Sequence, residues 1–398
     1  MSAIAHVSPE ARSRRRYDSW GPTWFGLLVG GMAVGVGCFL WQWTHGLGVT
    51  GLSNTVSWGM YIITFMFLVG VSAGGLIVVA GSELVESERF EPLSKLAVIL
   101  SGSAIAAAAV SILPDLGRPQ TAWKLFFQPH LTSPLVWDVV VIAFYLSIAV
   151  IDLWIMTRVR TRPGLLRRVA FVALPVAVLV HSVTAWIFGL LVARPFWNTA
   201  LLAPMFISSA LVSGVALLLI VAHVVDRVTD WHPPEHVFPD LGKLLVWFIG
   251  VDAFLLFAEL LTGFASREPQ HLAQLRVLLF GRLAWVFWSE IILGVAIPFV
   301  IFAWPRLRAR RVWLVTGASL ALIGVFFKRV NILMSSLFEP LVGLAPGIPG
   351  GRPGQEFRPD QIYIPTWVEW GILIGIASFI GVLITLGVRY LVVPKRPA

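Results

Sequence analysis

The sequence predicts an all-α integral membrane protein with about ten transmembrane helices in two bundle-like halves. Composition is the first reason: of 398 residues, 57% are hydrophobic and only 13% charged, with a mean hydropathy of +0.82, which soluble domains of this length do not reach. The second is that mostly apolar windows of about 20 residues, the length that crosses a hydrocarbon core, recur from Thr23 to Leu391. The third is the placement of basic residues, which gather at the ends of these windows and mainly on one side.

In order, the windows predict spans over Pro22–Thr44, Thr55–Gly81, Leu93–Leu113, Pro134–Thr157, Val169–Val192, Leu201–Val225, Leu241–Phe264, Leu278–Ala303, Val312–Met334 and Thr366–Val392. With the N-terminus in the cytoplasm, 20 of the 30 basic residues fall on inner segments, the densest around Arg162 and Arg308. The positive-inside rule then puts both termini in the cytoplasm. The division reads as a basic tail over 1–21, a first bundle over 22–192, a second over 193–392 and a short tail over 393–398. Ser13-Arg14-Arg15-Arg16-Tyr17 imitates a secretory or twin-arginine signal, but nine further spans follow it.

Irregular sequence collects in outer connections. Pro114–Ser133 and the longer loop over 337–365 are rich in Pro, Gly and aromatic residues, and long loops in a compact membrane protein carry function or dock a partner. Pro134 precedes Asp138, and Pro365 precedes Glu369, by four residues, each with a Trp between. Either helix-start chemistry or a duplicated site produces that echo.

Several function classes drop out. The net charge of +9 lies at helix ends instead of along a soluble face, which fits the lipid surface and not nucleic acid. The single cysteine, Cys38, allows no disulfide and no cysteine-ligated cluster. No Walker loop, HExxH, dinucleotide fingerprint or nucleophile elbow is present.

Polar residues inside or beside spans are the candidates for chemistry, because hydrocarbon tolerates them only when paired, hydrated or used. Asp115, Arg118, Trp137 and Asp138 bracket the first outer loop. Asn54, Trp58, Tyr61 and Phe65 are spaced to share one face of the second span, as a ring-binding surface or an interfacial aromatic belt. His181 lies mid-span, as hydrogen-bonded glue or as a proton or quinone contact. A bis-histidine haem needs a second histidine at similar depth, and His223 is near the inner end of its span. Asp252 and Glu259 share a face, Glu290 is central in the next span, and Arg282, Lys328, Arg329 and Asn331 cluster on neighbouring spans. This set is either a static ion-pair network or a proton path, with Glu369 as a further buried acid.

Taken together, Trp58-Gly59 with Phe67 to Gly75, Asp115-Leu116-Gly117-Arg118-Pro119, Ser133-Pro134 leading to Trp137-Asp138, His181 with Arg194 to Trp197, Trp288-Ser289-Glu290, Arg329-Val330-Asn331 and Tyr363 to Trp367 leading to Glu369 resemble the NrfD or polysulfide-reductase membrane-subunit family in its long, ten-helix form. The resemblance implies a subunit of the bacterial cytoplasmic membrane, without haem or iron-sulfur cluster of its own, that binds exchangeable menaquinone or ubiquinone. It implies electron exchange with a ferredoxin-like iron-sulfur subunit on the outer face, which relays to a molybdopterin catalytic subunit or a multihaem cytochrome. Quinone is expected in the first bundle near the outer surface, at Trp58, Tyr61, Asp115, Arg118, Trp137, Asp138 and His181, with Asp252, Glu259, Glu290, Arg329 and Glu369 as proton path or buried ion pairs. Where some members have a histidine and an asparagine on the second span, this sequence has Tyr61 and Phe65, with Asn54 nearer its start. A secondary transporter and a purely structural anchor for a peripheral enzyme are the competing readings.

Overall fold

The computed structural model describes residues 9–53, 55–84, 88–158, 163–338 and 363–393, and within them every side chain except those of residues 9–20, 126 and 163. Ten helices are long and apolar enough to cross a membrane. They are α1 (Pro9–His45), α2 (Met60–Leu84), α3 (Ser94–Ile112), α4 (Pro134–Arg158), α5 (Pro163–Gly189), α6 (Leu202–Val228), α7 (Val237–Ser266), α8 (Ala284–Ala303), α9 (Arg311–Leu337) and α10 (Trp367–Gly387). The expected all-α membrane fold is what the protein adopts. One end of the assembly carries the Pro114–Ser133 connection and is called here the long-loop end; Arg89, Arg158, Arg306 and Arg308 mark the opposite, basic end.

Several expected boundaries differ: α1, α5 and α7 begin earlier, at Pro9, Pro163 and Val237, and two others begin later. The second helix begins at Met60 and not at Thr55; residues 55–59 are a non-helical approach, with the Gly59 carbonyl accepting the Ile63 N–H. Trp58 therefore does not share a helical face with Tyr61 and Phe65, and Asn54 lies outside the described residues. The eighth span begins at Ala284; Leu278 and Leu279 close a separate surface helix, Pro269–Leu279. Most of the 337–365 loop, Arg160 and Arg162 of the α4–α5 connection, and Lys395 and Arg396 also fall outside the description.

Helix α2 is the hub. It packs against α3, α5, α6 and α9, and most of its residues are buried. Its close approach to α6 depends on glycine: a Cβ at Gly74 would strike the Ala210 carbonyl and the backbone of Gly214. Apolar side chains gain little from leaving lipid, so helices associate through such small-residue seams. Gly35 meets Gly375 where α1 lies on α10, and Gly294 meets Gly324 where α8 lies on α9. Helix α10 also packs on α3, so the last helix returns to the start of the sequence.

Helix α8 is irregular at its centre. Glu290–Ala296 forms a π-helical segment in which Ile297 donates its N–H to the Ile292 carbonyl, five residues back. Pro298 follows immediately; it has no N–H to give an α-helical ladder, and the wider turn accommodates that loss.

Candidate functional site

At the long-loop end, α1, α2, α3 and α10 converge on a set of linked polar groups. Gln42 is the one amide in the apolar span of α1, Gly21–His45, and is buried. Its Oε1 accepts the Tyr61 hydroxyl at 2.5 Å and its Nε2 donates to the Pro114 carbonyl at 2.6 Å. Asp115 follows, and its Oδ1 is buried without a hydrogen-bond partner among the described residues.

The start of α10 closes the other side. Thr366 and Glu369 form a capping box, which satisfies the first free N–H groups of the helix. Glu369, fully buried, also accepts the Gly51 N–H at 2.8 Å and the Tyr363 hydroxyl at 2.5 Å. Tyr363 in turn accepts the Met60 N–H at 2.7 Å. Burial and the adjacent Glu369 carboxylate hold the Tyr363 phenol far above its ordinary range, so it remains a donor. Glu369 thus stands with Tyr61 and Asp115, not with the acids of α7 and α8.

An apolar cleft of about 200 Å³ leads to this set between α1, α3 and α10, walled by Gly35, Phe39, Leu113, Pro114, Ile372 and Phe379. Val36, Val110 and Leu113 in its walls are each more than a third exposed, so the cleft opens sideways, toward lipid. A smaller void continues from Phe39 and Pro114 past Gln42 to Gly117.

The other expected residues are distributed around this centre. Trp58 packs edge-on to Phe188 at 5.5 Å and stacks on Trp197 at 6.0 Å. Arg118 is exposed, and Trp137, also exposed, donates its indole N–H to the Leu131 carbonyl at 2.8 Å. Asp138 is buried and accepts the Thr184 hydroxyl at 2.6 Å. His181, one turn earlier on α5, has Nδ1 2.8 Å from the Ala177 carbonyl, while Nε2 is buried without a partner among the described residues. The seven residues expected around the ring therefore fall in different places: Tyr61 and Asp115 near the cleft, Asp138 between α4 and α5, His181 on α5 against the Val69–Gly70 backbone of α2 and near Arg329, Trp58 among the rings of Phe188 and Trp197, and Arg118 and Trp137 at the surface. Gln42 and Tyr363 were not anticipated. An amide near the end of an apolar run was the available signal for Gln42; for Tyr363 it was membership of the Tyr363 to Trp367 motif, which gave it no role of its own.

A second polar group lies among α6, α7, α8 and α9. Lys328 pairs with Asp252 at 2.6 Å, and Ser208 donates to the same carboxylate at 2.7 Å. Asn331 donates to Glu290 at 2.7 Å. Arg329 donates to Ser209 at 2.8 Å and lies 4.1 Å over the Phe206 ring; Gly70 leaves the room for its guanidinium. Glu259 accepts the Thr199 hydroxyl at 2.7 Å. Arg282 is exposed and lines a separate cavity, apart from the Lys328, Arg329 and Asn331 set with which it was grouped.

The profile of the family described as polysulphide reductase, NrfD, matches residues 48–339. The protein belongs to this family. Among similar sequences is a provisionally named dimethyl sulfoxide reductase membrane subunit of Halobacterium salinarum, 34% identical, with 94% of this sequence and 92% of that one covered. The Hdr-like menaquinol oxidoreductase integral membrane subunit of Archaeoglobus fulgidus is 26% identical, with 94% of both sequences covered. The menaquinone reductase integral membrane subunit of Nitratidesulfovibrio vulgaris is 22% identical over 87% of this NrfD-family sequence and 85% of its own. Helices α1 and α10 lie outside the NrfD match, and two of the three walls of the cleft come from them.

Proposed function

We propose that this NrfD-family protein is the quinone-linked membrane subunit of a multisubunit oxidoreductase, and that the ring of the quinone is held where Gln42, Tyr61 and Asp115 meet. The names of the relatives support the first part, since they are membrane subunits of a dimethyl sulfoxide reductase, a menaquinol oxidoreductase and a menaquinone reductase. The observation that carries the second is the unpartnered, buried Oδ1 of Asp115 beside a lipid-facing apolar cleft. A buried acceptor left without a hydrogen bond is costly, and a ligand that supplies a proton there removes the cost.

The residues fit such a ligand. The cleft suits an apolar tail, as binding sites of this kind do; the second amide N–H of Gln42 can donate to a ring oxygen, and the Tyr61 oxygen, whose proton lies on Gln42, can accept from a quinol hydroxyl. A bound quinone supplies two-electron, two-proton chemistry. Asp115 accepts or returns a proton at Oδ1, Tyr61 and Gln42 fix the ring's orientation, and the α10 cap holds the wall through Glu369. In this reading Arg118 and Trp137 belong to the rim where an iron-sulfur subunit docks, and a molybdopterin subunit or multihaem cytochrome lies beyond it. The long-loop end is then the outer face. Asp138, between α4 and α5, and His181, against the α2 backbone at Val69 and Gly70, stand behind the ring site as a proton reserve.

The test uses the assembled complex and a quinone analogue with a photoreactive ring. Labelling of peptides containing Gln42, Tyr61 or Asp115 is expected, together with loss of quinol-linked turnover in Asp115→Asn at normal assembly. Labelling elsewhere with full turnover of Asp115→Asn would remove the assignment. The same complex separates this reading from a carrier, which moves solute without a partner, and from a passive anchor, in which Asp115→Asn is silent.

A specific feature also favours proton conduction through the second polar group. The Oε1 of Glu290 and the Oδ1 of Asn331 are buried without partners among the described residues, at a π-helical turn, a feature that recurs at functional sites. Proteoliposomes should acidify or alkalinise with quinol turnover, and Glu290→Gln should suppress the proton signal while electrons still flow.

A further inference from the structure

A larger cavity than the cleft at Gln42 lies beside the helices. It holds about 580 Å³ on the opposite side of α10, between α2, α8 and α9 at the long-loop end, with Phe327, Val330, Trp370 and Tyr363 in its walls and Arg282 and Trp285 at its rim. Its polar inventory is narrow. The Tyr363 hydroxyl is committed at both ends, donating to Glu369 and accepting from Met60. Among the described residues the charged group in the lining is the Arg282 guanidinium, whose five N–H donors leave room for a ligand oxygen beside its other contacts. A ring with two carbonyl oxygens would find no matched pair of groups among the described residues. An amphiphile with one anionic head and an apolar body finds both.

We infer that this cavity seats one anionic phospholipid of the leaflet at the long-loop end, its phosphate on Arg282 and an acyl chain against Phe327, Val330 and Trp370. Arg282 sits just before α8, where the span meets the interface, and a guanidinium forks well onto phosphate. Trp285 and Trp370 are 68% and 50% exposed, the amphipathic rings expected at head-group level. Acyl chains pack in any lipid-facing groove, so the choice among lipids rests on the head group. One cation near the surface is worth roughly fivefold toward an anionic lipid.

The experiment reconstitutes the intact complex in phosphatidylcholine nanodiscs containing a trace of phosphatidylglycerol, or of phosphatidylcholine, with a photoreactive acyl chain. Labelled peptides are identified by mass spectrometry. The phosphatidylglycerol probe should mark the Phe326–Met334 segment about fivefold more than the phosphatidylcholine probe. Arg282→Gln should bring the two probes to parity, while Arg282→Lys, and Arg267→Gln at an exposed cation of the same end, should keep the preference. Equal labelling by both probes in the unaltered protein, or a preference that survives Arg282→Gln, overturns the inference. So does displacement of the label by a short-chain quinone, which would make the cavity a quinone seat.

Discussion

Tyr61 on α2 donates its hydroxyl proton to Gln42 on α1 at 2.5 Å, and through the Gln42 amide that bond reaches the Pro114 carbonyl at the end of α3. A side chain from a helix outside the NrfD match therefore ties together the backbone and phenol that flank Asp115.

Removing one of these partners should act on binding more than on folding. Tyr61→Phe is expected to lower kcat/KM for quinol by about tenfold, the worth of one hydrogen bond in a low-dielectric site, with normal amounts of assembled complex. Steady-state assays with a water-soluble quinol read this directly, and an unchanged kcat/KM would show that the phenol does not face the ligand.

Asp115→Asn preserves shape and removes the proton acceptor. The expected loss in kcat is on the order of a hundredfold, the usual contribution of a positioned base, with little change in KM. Asp115→Glu should recover part of it.

The α1–α10 seam can be opened selectively. Replacing Gly375 by Leu sets a side chain against the Gly35 backbone and should displace α1, lowering affinity for long-tailed quinones while the α2–α6 core folds. Gly74→Leu, by contrast, strikes the α6 backbone and should abolish accumulation of the protein. Quantitative immunoblotting and quinol titration distinguish the two.

Lys328 and Asp252 form a buried pair, with side chains 4% and 7% exposed. Lys328→Met alone leaves a carboxylate without its charge partner and should cost about 3–5 kcal/mol. The double substitution with Asp252→Leu should recover most of it. Thermal unfolding in detergent measures both; equal loss in the single and double variants would mean that packing, not charge, is the issue.

His271, on the surface helix Pro269–Leu279, is kept below its ordinary pKa by burial, against a smaller opposing pull from Glu268. Its Nε2 faces Gly263 of α7 and has no hydrogen-bond partner among the described residues. The released state therefore takes a proton more readily than the docked one. The helix should stay docked above about pH 6.5, the ordinary histidine value, and loosen as pH falls below it. Hydrogen exchange over Pro269–Leu279 should rise on that side, and His271→Gln should remove the pH dependence.

The sequence alone determined that this is a ten-helix membrane protein and which family it belongs to, because span length follows from bilayer thickness and because motifs such as Asp115 to Pro119 are local. It also named the polar residues that hydrocarbon would not tolerate unpaired: Asp252, Glu290 and Arg329 were identifiable without a partner in view. What it could not supply was pairing. Glu369 was grouped with the acids of α7 and α8, yet the capping box and the packing of α10 on α1 and α3 bring it to Tyr61; Trp58 was expected on one helix face with Tyr61, and the non-helical approach over 55–59 separates them. Those outcomes depend on which glycine seams let distant helices touch, as Gly35 does with Gly375. That is decided by close fit across more than three hundred residues of sequence, and no local pattern encodes it.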